Sequence, residues 1–242
     1  MIGIKTNIFF SIIIPLFLAV NVNLISQDNQ PMNIRTLGPD AMASPTENER
    51  AMSAYNRGTT LMYENKLEEA EKYLLEAIGL DPGFVDALDH LGIVYRRQNR
   101  LREAEEMYLR SISLNNRNRI PFINLAVVYR IQGRLNEAFE LYTNVAEISP
   151  DDPEAYYGMG EILFINGDYE NAMHFFDRTI ELYTAENSPY VCDAYYYKGM
   201  IYYRLNQYNE ALRYLEEAKK GIPNNESLER TINDIKRRLR NS

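Results

Sequence analysis

The chain has no tryptophan, one cysteine and two histidines in 242 residues. With Cys192 alone, no intrachain disulfide can form and no cysteine-based zinc cluster can be assembled. His90 and His174 stand far apart in the sequence, which gives no histidine metal triad and no acid–base relay. A basic excess is also missing: 26 Lys and Arg face 34 Asp and Glu, for a net charge of −8. That balance opposes binding to nucleic acid phosphates. Neither a glycine-rich phosphate loop nor a serine nucleophile elbow is present. The carboxylates of Glu68, Glu69, Glu103 and Glu137 fall at predicted helix starts, where the helix dipole favours them without any catalytic role. The sequence therefore predicts no catalytic residue, no metal and no cofactor, and a protein that is not an enzyme. What is there is globular in character, with 45% hydrophobic and 25% charged residues.

The N-terminus reads as an export signal. Lys5 precedes an apolar run from Ile8 to Val20 (IFFSIIIPLFLAV), the length of a signal-peptide core. Asn21 and Asn23 interrupt the run before it reaches the ~20 apolar residues of a spanning helix. Residues 1–26 are read as a signal peptide cut before Gln27, or else as an uncleaved anchor, which would be the chain's only membrane contact. Either way the expected location is outside the cytoplasm, periplasmic or secreted. Residues 27–43, with Pro31, Gly38 and Pro39, read as a flexible linker. Ser44-Pro45-Thr46-Glu47 has the form of a capping box with proline at the first helical position, so the folded part is expected from residue 44.

Beyond that point the sequence repeats. An alanine recurs in similar company at Ala70, Ala104, Ala138 and Ala172, always 34 residues apart, and again at Ala211, after an insertion around Tyr183 to Val191. Twelve positions before each alanine stands a small residue, Gly58, Gly92, Ala126, Gly160 or Gly199. Small residues at that spacing predict two antiparallel helices whose backbones approach closely where the two small residues face each other. Five positions before each alanine comes Asn65, Asn99, Gly133, Gly167 or Asn206, the residue types that take the left-handed conformation and end a helix. Bulky residues, Leu74, Tyr108, Tyr142, Phe176 and Leu215, follow each alanine by four and are expected in the core. Pro82, Pro150 and Pro223 stop second helices. From Glu226 to Arg240, Leu228, Ile232, Ile235 and Leu239 form one stripe of a last amphipathic helix, 226–242, which is expected to cap the array. Its bases Lys236, Arg237, Arg238 and Arg240 suit a helix C-terminus, with an acidic partner or lipid head group as the alternative.

This pattern of small residue, large residue and alanine, met five times over residues 51–225, resembles the tetratricopeptide-repeat (TPR) family, and a bacterial source fits the export signal. Ser111, Val145 and Thr179 depart from the family's second alanine, where Ala77 and Ala218 agree. The resemblance implies an all-α solenoid of five helix-turn-helix repeats, at about 51–84, 85–118, 119–152, 153–191 and 192–225, within a folded region of 44–225. It also implies that first helices line a concave groove that holds a peptide or partner protein. The positions that map to this groove are Tyr55, Thr59 and Met62; Asp89, Ile93 and Arg96; Ile123, Asn124, Val127 and Arg130; Tyr157, Glu161 and Phe164; and Tyr196, Met200 and Tyr203. Aromatic and arginine side chains suit a protein-binding surface. The implied function is a non-catalytic adaptor or scaffold, with a small-ligand receptor or transport accessory of the cell envelope as the alternative. Repeats that clamp a chaperone's C-terminal carboxylate carry basic and asparagine residues at positions held here by Asp89, Ile93, Asn124, Glu154 and Gly158. Only Asn124 agrees, so that ligand is disfavoured.

Overall fold

The computed structural model describes residues 46–241, so the expected signal peptide or anchor, the linker, and Ser44 and Pro45 lie outside the described residues. Among those described, the secondary structure is helical, with no strand. Ten helices run in chain order as five antiparallel pairs. They are α1 (Glu49–Tyr63) with α2 (Leu67–Leu80), α3 (Val85–Arg97) with α4 (Leu101–Leu114), α5 (Arg119–Ile131) with α6 (Leu135–Ile148), α7 (Pro153–Ile165) with α8 (Tyr169–Ala185), and α9 (Val191–Arg204) with α10 (Tyr208–Gly221). Each second helix also packs on the first helix of the next pair, which makes the array a solenoid. A final helix, α11 (Glu226–Asn241), lies on α10 with Leu228, Ile232 and Ile235 buried and Leu239 packed beside them. No helix among the described residues is long and apolar enough to cross a membrane.

The first helix starts later than the capping-box reading puts it. Asn48 is the N-cap of α1, and its side-chain oxygen accepts from the backbone N–H groups of Arg50 and Ala51, each at 3.1 Å. Thr46 instead accepts from the Asn48 N–H at 3.1 Å. Asparagine at this position satisfies two otherwise orphaned donors. Asn118 caps α5 by accepting from the Ile120 N–H alone, and Asp152 caps α7 by accepting from those of Glu154 and Ala155, with Pro153 at the first turn.

All five turn residues adopt the left-handed conformation, with φ between 59° and 79° at Asn65, Asn99, Gly133, Gly167 and Asn206. The residue after each donates its N–H back five positions, as from Lys66 to the Leu61 carbonyl at 2.9 Å and from Arg100 to that of Tyr95 at 2.8 Å. Orphan carbonyls of the first helix are thereby satisfied. A sixth left-handed residue, Asn187 at φ 52°, ends α8 through the same bond, Ser188 N–H to the Tyr183 carbonyl at 2.9 Å. The insertion lengthens this helix to 17 residues, where the other second helices have 14.

The small residues allow the close approach expected of them, against a bulky neighbour. At the repeated position, Gly58, Gly92, Gly160 and Gly199 each lie against the bulky residue of the partner helix. A Cβ on Gly58 would lie 2.8 Å from Leu74 Cγ, one on Gly92 2.6 Å from Tyr108 Cε1, and one on Gly160 2.9 Å from Phe176 Cε1. The large side chain rests on the bare backbone, and that is what sets the helix spacing. Tyr142 reaches the other way and lies over Gly158 of the next pair.

Two charged brackets of matching design join the first three pairs on the outside. Arg100 spans Glu71 and Glu103, both at 2.8 Å, with its guanidinium 4.2 Å from the Tyr95 ring centroid. Thirty-four residues on, Arg134 spans Glu105 at 2.9 Å and Glu137 at 2.5 Å, 3.7 Å over the Tyr129 ring. Further along, apolar contacts take this place, with Phe139 edge-on to Phe175 and Tyr156 stacked near Phe175.

Candidate interaction surface

The first helices α1, α3, α5, α7 and α9 carry the expected groove residues in three registers, and the structure divides them into two kinds. Tyr55 and Met62 belong to the main core. The Tyr55 ring lies 4.9 Å from Phe84 and edge-on to His90 at 5.3 Å. Burial, and then the charge of Asp86, push its hydroxyl above the usual tyrosine range. Asp89, Ile93, Arg96, Ile123, Asn124, Val127 and Glu161 are also buried. Thr59, Arg130, Tyr157, Phe164, Tyr196, Met200 and Tyr203 retain partial exposure.

The polar residues of this face hold one another. The Arg130 guanidinium meets the Glu161 carboxylate at 2.6 Å, and the Tyr197 hydroxyl donates to the same carboxylate at 2.7 Å. Burial would lower the arginine's pKa, but Glu161, Tyr142 and Tyr197 beside it outweigh burial and hold it above the ordinary value. Tyr197 is pushed well up by burial and then by Glu161. His90 donates from Nδ1 to the Asp86 carbonyl at 2.9 Å, and burial lowers its pKa. Asp89 accepts from Asn118 Nδ2 at 3.3 Å. Its carboxyl is pushed up to about 7, by burial first, with Ser111 and Asn118 favouring the charge and Asp86 opposing it.

Around Arg130 and Glu161 the partly exposed residues form an aromatic cluster on α7, α8 and α9. Tyr197 stacks on Phe176 with centroids 5.1 Å apart, and Tyr157, Phe164 and Tyr196 meet its ring at 5.9, 5.2 and 5.6 Å. Tyr203 donates to Asp234 of the last helix at 2.9 Å, so the cap closes onto the end of this surface. Tyr197, the centre of the cluster, is missing from the sequence-derived set. It stands one position beyond Tyr196, on the face that the helical period gives to packing, and the run Tyr195-Tyr196-Tyr197 was its only signal.

The chaperone-clamp positions are committed elsewhere. Asn124 is fully buried, Gly158 lies under the Tyr142 ring, and Glu154 accepts from the Tyr183 hydroxyl. The bases of α11 make ion pairs within the scaffold: Lys236 with Glu216 at 2.6 Å, and Arg237 and Arg238 with Asp234 at 2.5 and 2.6 Å. A shallow cavity of about 320 Å³ lies at the α6–α7 turn, lined by Arg119, Asp151, Asp152 and Glu186 among others, away from the first-helix registers. Among the described residues no group of three or more His, Cys, Asp or Glu side chains is placed to hold a metal ion.

Comparison with known proteins agrees with this architecture. Three family models match, each described as a tetratricopeptide repeat or TPR repeat, over residues 55–119, 126–167 and 151–221. Among solved structures, the APC/C hetero-tetramer Cut9-Hcn1 superposes with a TM-score of 0.69 at 19% identity over 78% of this chain, which spans 37% of that longer chain. A tetratricopeptide repeat protein from Parabacteroides merdae gives a TM-score of 0.64 at 23% identity, covering 77% of this chain and 72% of that one. YrrB, described as a TPR protein with an unusual peptide-binding site, gives 0.55 at 25% identity, covering 75% and 91%. With five registered helix pairs, their left-handed turns and three matching models, the chain belongs to the tetratricopeptide-repeat family.

Proposed function

We propose that this chain is an exported, non-catalytic adaptor that holds a peptide segment of a partner protein on its first-helix face. The fold supports a protein–protein interaction adaptor in general. The observation that carries the finer reading is the aromatic cluster of Tyr157, Phe164, Tyr196 and Tyr197, gathered around a buried ion pair and left partly exposed by three of its rings. Aromatic side chains held rigid by their neighbours present large contact area at little entropic cost, which is the character of a binding hot spot. The likeness to YrrB, a protein with a described peptide-binding site, supports the same reading. Export rests on the apolar run from Ile8 to Val20, and an uncleaved anchor there would hold the repeats at a membrane.

The test is affinity capture from the exported fraction with the wild-type chain against a Tyr157→Ala/Tyr196→Ala/Tyr203→Ala variant, each checked for native helicity. A partner retained by the wild type and lost by the variant supports the proposal. Equal recovery by both sinks the groove, and mass spectrometry of the mature N-terminus, expected at Gln27, decides export separately.

A further inference from the structure

At one junction the solenoid departs from its own pattern. The register of Asp89 on α3 is held in the other first helices by Tyr55, Ile123, Tyr157 and Tyr196. The register of Ser111 on α4, opposite it, is held elsewhere by Ala77, Val145, Thr179 and Ala218, and Thr179 satisfies its own hydroxyl on the Phe175 carbonyl at 2.9 Å. Only in the second pair do a carboxyl and a hydroxyl occupy these two positions together, and both are buried. Asp89 Oδ2 accepts from Asn118 Nδ2, and the same asparagine caps α5 by accepting from the Ile120 N–H at 3.1 Å. Oδ1 has no hydrogen bond among the described residues, although the Ser111 hydroxyl lies close enough to favour the carboxyl's charge. The carboxyl thus touches α3, α4 and the start of α5 at once.

Among the described residues, the groups that act on its titration are Ser111, Asn118 and Asp86, none of them a cation. Tyr55 faces it from α1 and Tyr108 from α4, both neutral phenols raised by burial. Asp86 and His90 share its helix, the first as a further acid and the second with its pKa lowered. Arg96 acts on Tyr108, and Arg119, next to Asn118, pairs with Asp152 at 2.6 Å. A carboxylate in such a place has one oxygen poorly paired and a like charge nearby, and both costs vanish when it takes a proton.

We propose that Asp89 is a protonation-controlled joint between the second and third helix pairs, which draws α3, α4 and α5 together when it is neutral and loosens them when it is charged. The sign follows from linkage. The folded carboxyl titrates at about 7, above its ordinary value of 3.8, so between these pH values the native chain keeps a proton that the unfolded chain has released. The joint is tightest below about pH 4 and weakens as pH rises through about 7. This concerns the scaffold and stands whether or not the first-helix face binds a peptide.

The experiment is a carboxyl-carbon NMR titration of Asp89 in the full chain, paired with hydrogen exchange of α3–α5 amides between pH 5 and 8, corrected for intrinsic rates. An apparent pKa near 7, with protection of α3–α5 falling as pH rises while that of α9–α11 stays level, is the expected result. Asp89→Asn is expected to abolish the pH dependence, and Ser111→Ala, which removes a group favouring the charged form, to move the titration further up. An Asp89 carboxyl that titrates near 4 overturns the proposal, as does unchanged pH dependence in Asp89→Asn. Should that variant not fold, the wild-type titration decides alone.

Discussion

Arg130 of α5 and Glu161 of α7 meet at 2.6 Å across the boundary between the third and fourth helix pairs, with the Tyr197 hydroxyl of α9 on the same carboxylate at 2.7 Å. One buried carboxylate therefore ties three successive first helices. Removing it leaves a mostly buried guanidinium without its counter-charge. Glu161→Ala is expected to destabilise the chain by about 3–5 kcal/mol, read as a lowered urea midpoint. Converting both partners to apolar residues, as in Arg130→Met/Glu161→Leu, is expected to cost much less than the single change, because no charge is then stranded. If the double variant is no more stable than Glu161→Ala, the pair is not the cause.

The two kinds of helical glycine make opposite predictions for one substitution. A Cβ on Gly92 would lie 2.6 Å from the Tyr108 ring, and that ring is fully buried and has nowhere to move. Gly92→Ala is expected to destabilise by about 1–3 kcal/mol through overpacking. Gly79, on the exposed side of α2, would meet nothing within 4 Å. There Gly79→Ala is expected to stabilise by about 0.5–1 kcal/mol through helix propensity alone. Thermal melts of the two variants should move in opposite directions.

Asn187 tests the account of the insertion. Its φ of 52° ends the lengthened α8, and only glycine takes that conformation with less strain. Asn187→Gly is expected to leave the melting temperature unchanged or slightly raised. Asn187→Val is expected to cost about 1–2 kcal/mol, because a β-branched side chain resists φ above zero. Equal melting of the two variants would mean that α8 is terminated by some other contact.

The repeat was legible in the sequence because its signals are local. Left-handed turns need glycine or asparagine, and the chain supplies them at five fixed intervals, so the helix pairs and their hinges follow from residue type alone. The contact opposite each glycine was not legible. Spacing says that Gly92 and Ala104 share a hairpin, but the Tyr108 side chain, four residues past the alanine, is what fills the gap, and that depends on side-chain direction. The expected groove lining divided for a similar reason. Register puts Tyr55 and Tyr157 at the same place in their repeats, yet Phe84 and His90 take up the first ring while the second joins the cluster around Tyr197. Likewise Ser111 reads only as a departure from alanine until the structure shows Asp89 beside it.

The cap should respond to acid in the sense opposite to the Asp89 joint. Asp234 of α11 receives Arg238 at 2.6 Å, Arg237 at 2.5 Å and the Tyr203 hydroxyl at 2.9 Å, and these partners, Arg238 foremost, hold its carboxyl down to about 2 from an ordinary 3.8. A depressed carboxyl contributes stability that is fully present above about pH 4 and is lost as pH falls through about 2. The group is partly exposed and its arginine partners more so, so salt should weaken the effect. As pH falls from 7 to 4, protection of α3–α5 amides is expected to rise while that of α10 and α11 stays constant. Below 4, the C-terminal pair should fray first, and Asp234→Asn should show that fraying already at neutral pH. The two carboxyls lie at different places along an array in which each pair touches only its neighbours, so their effects should appear in different helices. If acid loosens α3–α5 and α10–α11 together, the array unfolds as one unit and neither carboxyl acts locally.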